Sequence, residues 1–285
     1  MHKHNSQIAL IVEGEKREVK YFENLKKNFL PSKNIKLLTL PAGENIYVLW
    51  KQMSIDDFET DIIEVLREYS PSASLELKGF KRTDFQEVYM FFDYEAQQNN
   101  LSKDDKPADE IIHDMLKQFD NETENGKLYI SYPMCEALRD IREESCKAFT
   151  DCFVRLDKLS SYKKDSAEGN IYVDVGTYNL NDWLMILRIF LARLKCIFGA
   201  EGECTELLKW YKKVISPEDI FYVERAEVIE RGRVFVLSAF PEFLLDYFTQ
   251  KYLLSILSMQ NEISSSECLY RKCVFIENQI AKFFR

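Results

Sequence analysis

Hydrophobic residues in the first half of the chain come in short unbroken runs separated by helical spacings. Gln7 to Val12 reads Q-I-A-L-I-V, of strand length and apolar on both faces, the pattern of a strand inside a parallel sheet. Glu13-Gly14 interrupts it. Val19, Phe22, Leu25 and Phe29 then recur at intervals of three or four and predict a helix over 15–29, ended by Pro31. Ile35 to Leu40 is a second strand, closed by Pro41-Ala42-Gly43. Residues 46–69 read as mainly helical and 71–81 as a polar, turn-rich link. Val88 to Phe92 is a third strand, running into Asp93-Tyr94-Glu95. Residues 99–105 form a polar loop. Pro107 suits the first turn of a helix that carries Ile111, Ile112, Met115, Leu116 and Phe119, and Leu128 to Ser131 is a fourth strand. This alternation predicts an α/β fold, a mostly parallel sheet flanked by helices.

Beyond Glu136 the pattern turns helical. Residues 183–198 are apolar almost all round, 205–214 form a further helix, and 233–237 are extended. Residues 243–257 and 268–284 read as helices. The expected organisation is a catalytic unit over 1–145 and a mainly helical region over 146–285 that binds substrate or partner. Phe243, Leu244, Tyr247 and Phe248 read as core.

At 285 residues, 46% hydrophobic and 30% charged, the chain has the composition of a globular protein. No apolar stretch approaches the length of a membrane span and no signal peptide precedes the first strand, so a cytoplasmic location is expected. The net charge of -9 disfavours indiscriminate coating of nucleic acid, yet is compatible with a nuclease whose centre is acidic. Seven cysteines without a C-x-x-C pair predict reduced, mostly buried thiols. Three scattered histidines make a Cys/His zinc cage and histidine acid–base chemistry poor fits.

Acidic residues stand at the carboxyl ends of the predicted strands: Glu13 after the first, Asp93 and Glu95 after the third, Glu136 after the fourth. Open parallel sheets bind ligands at those ends. Alternate residues on extended backbone project to one side, which lets Asp93 and Glu95 point together. Hard oxygen donors suit Mg²⁺ or Mn²⁺. Such carboxylates also occur as helix caps or solvated loop residues.

Ile11-Val12-Glu13-Gly14-Glu15, followed by a helix with Tyr21-Phe22, resembles the opening glutamate motif of TOPRIM domains, especially those of the OLD-like and RloB-like proteins of phage defence. Phe91-Phe92-Asp93-Tyr94-Glu95 resembles the TOPRIM D-x-D motif with glutamate in its second place. Tyr132-Pro133-Met134-Cys135-Glu136-Ala137-Leu138 is similar to a segment of some of these nucleases. The likeness covers about residues 6–140. It implies Mg²⁺- or Mn²⁺-dependent phosphodiester hydrolysis, with Glu13 as metal ligand or general base, Asp93 and Glu95 holding the metal, and Glu136 completing a second site. It also implies a tRNA or DNA substrate and an anti-phage effector. The architecture resembles that of TOPRIM effectors of PARIS-type systems, which are paired with an ATPase. The chain has no Walker A motif, so ATP dependence would come from that partner. A homodimer is a further expectation.

Candidate phosphate contacts are Arg17 and Lys20 on the first helix. Others are Arg155, Lys158, Lys163 and Lys164; then Lys209, Lys212 and Lys213 around Trp210-Tyr211; then Arg225, Arg231 and Arg233. Basic runs with aromatics suit backbone neutralisation and base stacking, or form a solvated helix face. Arg17 and Lys20 could equally balance Glu15 and Glu18 along the helix. A non-catalytic TOPRIM-like subunit that binds nucleic acid or an ATPase, and a phosphatase-like α/β protein lacking the usual nucleophile motif at Asp93, are the competing readings.

Overall fold

The computed structural model describes residues 7–14, 16–40, 45–55, 57–94, 106–141 and 152–259. Strand β1 (Gln7–Val12) lies inside the sheet, parallel to β2 (Asn34–Thr39) on one side and to β3 (Phe85–Asp93) on the other. A short β4 (Asp120–Asn121) turns back antiparallel to β5 (Gly126–Ser131), which pairs in parallel with β3. The order is β2-β1-β3-β5-β4. The expected α/β architecture, with a mostly parallel sheet flanked by helices and a helical C-terminal region, is what the chain adopts. Continuous apolar runs at β1 and β3 follow from burial on both sheet faces.

Helix α1 (Arg17–Phe29) buries Tyr21, Phe22, Leu25 and Phe29. The stretch read as one helical region is two helices, α2 (Ile46–Ser54) and α3 (Ile62–Tyr69). Asp57 and Phe58 have positive φ, and the Phe58 ring packs on Trp50 at 4.5 Å. The Asp61 carboxylate then caps α3 by accepting from the N–H groups of Ile63 and Glu64. The supposed link after residue 70 instead begins with α4 (Pro71–Glu76), capped by Ser70 with Pro71 in its first turn. Helix α5 (Ala108–Gln118) presents Ile111, Ile112, Met115 and Leu116 inward, as the spacing predicts.

The second half holds β6 (Phe153–Arg155), α6 (Leu159–Asp165), α7 (Leu180–Phe198), α8 (Cys204–Val214), α9 (Pro217–Arg231), β7 (Arg233–Phe235), α10 (Ala239–Tyr247) and α11 (Gln250–Met259). Helix α9 escapes the periodicity reading because it has no sharp apolar stripe, yet its ends are marked: Ser216 and Asp219 form a capping box, and Gly232 takes a left-handed φ of 60°. The helix expected over 243–257 breaks at Phe248, and the Thr249 hydroxyl accepts from the Tyr252 N–H at the start of α11. The helix expected over 268–284 lies outside the described residues.

One apolar cluster runs from β1 and β3 through α1 to α7 and α10. Trp183 of α7 is fully buried, and its indole N–H donates to Asn24 of α1 at 2.7 Å. Phe243 and Leu244 are core as expected. Cys135, Cys152 and Cys204 are thiols, whereas Cys196 is disulfide-bonded, a departure from the all-thiol expectation. Among the described residues no helix is long and apolar enough to cross a membrane.

Candidate metal centre

Parallel pairing brings the acidic residues to one edge of the sheet. Val12 stands opposite Phe91, so Glu13 and Asp93 leave β1 and β3 at the same end. Asp93 stands opposite Ser131, and the chain after β5 therefore delivers Cys135 and Glu136 to that end as well. Helix α1 starts just beyond Gly14 and places Glu18 in its first turn.

Donor atoms of Glu18, Asp93 and Cys135 all lie within 4.8 Å of one another. Asp93 is half-buried and accepts the Cys135 backbone N–H. Burial pushes its carboxyl well above the ordinary carboxylate range, and the charges of Glu13, Glu18 and Glu136 push it further. Burial also pushes the Cys135 thiol up, with Asp93, Glu18 and Glu136 adding to the effect. Among the described residues neither Glu18 nor Asp93 has an ion-pair partner. The charges around Asp93 that cause the shift are the ones a divalent cation would neutralise. Glu18 and Asp93 could hold such an ion through hard oxygen donors, with the Cys135 thiol beside them and Glu13 at the neighbouring strand end.

Glu13 and Asp93 thus leave their strands at one end, near enough for the Glu13 charge to act on Asp93, while the donor atoms within 4.8 Å of one another are those of Glu18, Asp93 and Cys135. Glu95 lies outside the described residues. Glu136 reaches the same region, but its buried carboxylate is engaged: it pairs with Arg17, lies 3.7 Å from the Lys163 ammonium, and accepts from the Cys135 thiol at 3.3 Å. Among the described residues, the ion-pair partners of Arg17 and Lys20 are not on their own helix, and Glu15 lies outside those residues. Arg17 pairs with Glu136 and Lys20 with Asp174 at 2.6 Å. Burial works against the Arg17 charge, and Glu136, Cys135 and Tyr21 together more than offset it.

Of the other cations, Lys163 is exposed beside the centre, and Lys164 is exposed on the same helix. Lys209 and Lys213 are exposed on α8. Lys212 donates to the Asp246 backbone oxygen at 2.9 Å. Asp246 pairs with Lys127, which stands opposite Tyr89, four residues up β3 from Asp93. The cluster predicted around Lys212 therefore belongs to the opposite end of the sheet. Arg155 pairs with Asp157, Arg225 with Asp109, and Arg231 and Arg233 with Glu227.

Sequence reasoning missed Glu18 and Cys135. The available signal was Gly14. Its φ is not left-handed; what it provides is space, because a Cβ there would overlap the Glu18 carboxylate. Gly14→Ala is expected to leave the fold intact, since the obstructing atoms end a flexible side chain, but to push that carboxylate out of the cluster. Mn²⁺ affinity measured by calorimetry should fall about tenfold, within the range for disturbed metal surroundings.

The chain matches no family model, no curated protein and no solved structure. The resemblance to TOPRIM proteins therefore rests on the sequence motifs alone.

Proposed function

We propose that the chain is a TOPRIM-like, Mg²⁺- or Mn²⁺-dependent nuclease that hydrolyses phosphodiesters of tRNA or DNA as an anti-phage effector under control of an ATPase partner. The supporting observation is that Glu13 and Asp93 leave adjacent parallel strands at their carboxyl ends while the first turn of α1 brings the Glu18 carboxylate beside Asp93. A divalent ion bound there supplies charge stabilisation at a phosphoryl oxygen and a more acidic water.

Within this reading, Glu13, Glu18 and Asp93 hold the ion, and Glu13 alternatively accepts the proton of the attacking water. Glu95 contributes the second position of the D-x-E motif. Glu136 acts as the counter-ion that fixes Arg17, and it takes no part as a direct ligand. Lys163, exposed at the rim, neutralises a substrate phosphate.

The test is incubation of the purified chain with end-labelled tRNA and with duplex DNA, in Mg²⁺ or Mn²⁺ and with chelator. Cleavage should require the metal and be lost in Glu13→Ala. Cleavage indifferent to both rejects the reading. Retained nucleic-acid binding without cutting, in the presence of the ATPase partner, would favour the non-catalytic subunit.

A further inference from the structure

On the opposite end of the sheet from the acidic centre, the molecule carries a cavity of about 410 Å³, the size of a small-molecule site. Tyr89 and Tyr129 line it from the sheet, and Tyr247 and Tyr252 from the C-terminal helices. Tyr89 and Tyr247 meet edge to face with centroids 6.1 Å apart. Tyr89 pairs in register with Lys127 and Asp93 with Ser131, so about 13 Å of strand separates the two places.

The charges lining this cavity do not cancel. Lys127 is spent on Asp246, which also accepts from the Tyr129 hydroxyl at 2.7 Å. That leaves Glu87 and Glu122 against Lys33. Among the described residues neither glutamate is in an ion pair. Glu87 is half-buried; its carboxyl is pushed up by burial, pulled down by Lys33 and by the Tyr89 hydroxyl, and pushed up again by Glu122. The Lys33 ammonium lies 6.0 Å from the centre of the Tyr247 ring. A cation therefore already sits over one aromatic face at this place.

Two carboxylates without ion partners beside tyrosine faces favour a ligand with N–H donors, positive charge and an apolar stem. An anion would meet Glu87 and Glu122 unfavourably. A bare metal ion would leave the rings unused.

We propose that this cavity binds a small organic polycation of the polyamine class, its ammonium groups held by Glu87 and Glu122 and its alkyl stem against Tyr89, Tyr247 and Tyr252. The site is independent of the phosphodiesterase reading.

Calorimetric titration of the full chain with spermidine and with putrescine tests it, with Mg²⁺ and adenosine triphosphate as comparison probes. Saturable binding of at least one amine is expected. It should weaken about tenfold or more in Glu87→Gln and in Glu122→Gln, the loss expected for a hydrogen bond to a charged group. It should persist in Asp93→Asn and in Glu201→Gln, a neutralisation elsewhere on the surface that controls for net charge. Circular dichroism should report unchanged folding of the glutamine variants. Absence of saturable amine binding overturns the proposal. So does binding unchanged in both glutamine variants, equal loss in Glu201→Gln, or displacement of the amine by Mg²⁺ alone.

Discussion

Asp93→Asn is expected to stabilise the metal-free protein and to abolish metal-dependent cleavage in the same molecule. The Asp93 carboxyl is crowded by burial and by three neighbouring glutamates, and is held well above its ordinary value. Ionising it in the folded state therefore costs more than in the unfolded chain. The sign follows directly. Below the ordinary carboxylate value both states are protonated and there is no penalty. As pH rises past that value the unfolded chain ionises first, and stability falls until Asp93 itself ionises in the native state.

The asparagine variant removes this loss. We expect a gain of about 1–2 kcal/mol near neutral pH, less than for a fully enclosed charge because Asp93 is half-buried. Melting temperature followed between about pH 4 and pH 8 in chelator should decline in the parent and stay flatter in the variant. Saturating Mn²⁺ should flatten the parent profile alone, since an ion that binds only the native state adds stability by mass action. Cleavage should drop by about two orders of magnitude or more, as a direct ligand matters at least as much as its outer support. Identical pH profiles in the two proteins, or retained cleavage, would remove Asp93 from the centre.

Arg17→Ala is expected to be the most destabilising single change among the site residues. It leaves the Glu136 carboxylate, 2% exposed at its side chain, without its principal counter-ion. Fully buried pairs broken on one side lose several kcal/mol. Here Arg17 is 35% exposed and Lys163 stands 3.7 Å from the same carboxylate, so a loss of about 2 kcal/mol is the reasonable expectation. Urea midpoints measure it. Adding Glu136→Gln to Arg17→Ala should recover part of the loss, because the stranded charge is then gone. Were Arg17 chiefly a phosphate anchor, the single variant would keep its stability and lose only substrate affinity.

Much of the fold was legible because its signals are local. Two-sided burial marks β1 and β3, and spacings of three and four mark α1 and α5. Ser70-Pro71 and Ser216-Pro217 also announced helices, though apolar periodicity alone passed over both. The break between α2 and α3 was harder to see, since it turns on positive φ at Asp57 and Phe58 and on the contact of Phe58 with Trp50.

Of the candidate centre, Glu13 and Asp93 were visible from their position after strands, and Glu18 was hidden among helix charges. The basic run around Lys212 read equally as a substrate surface or a solvated helix face, because spacing cannot say which end of a sheet a helix will meet.

The amino-acid order alone determined the alternation of strands and helices, the parallel sheet it implies, and the acidic residues at the strand ends. Tertiary structure alone decided what each charge does. Arg17 meets Glu136 across 119 positions, so a candidate metal ligand and a candidate phosphate contact stand paired with each other, and Glu18 faces Asp93. The physical reason is range: helix and strand preferences act over a few residues, whereas the fate of a charge depends on whichever opposite charge the folded chain brings within a few ångströms.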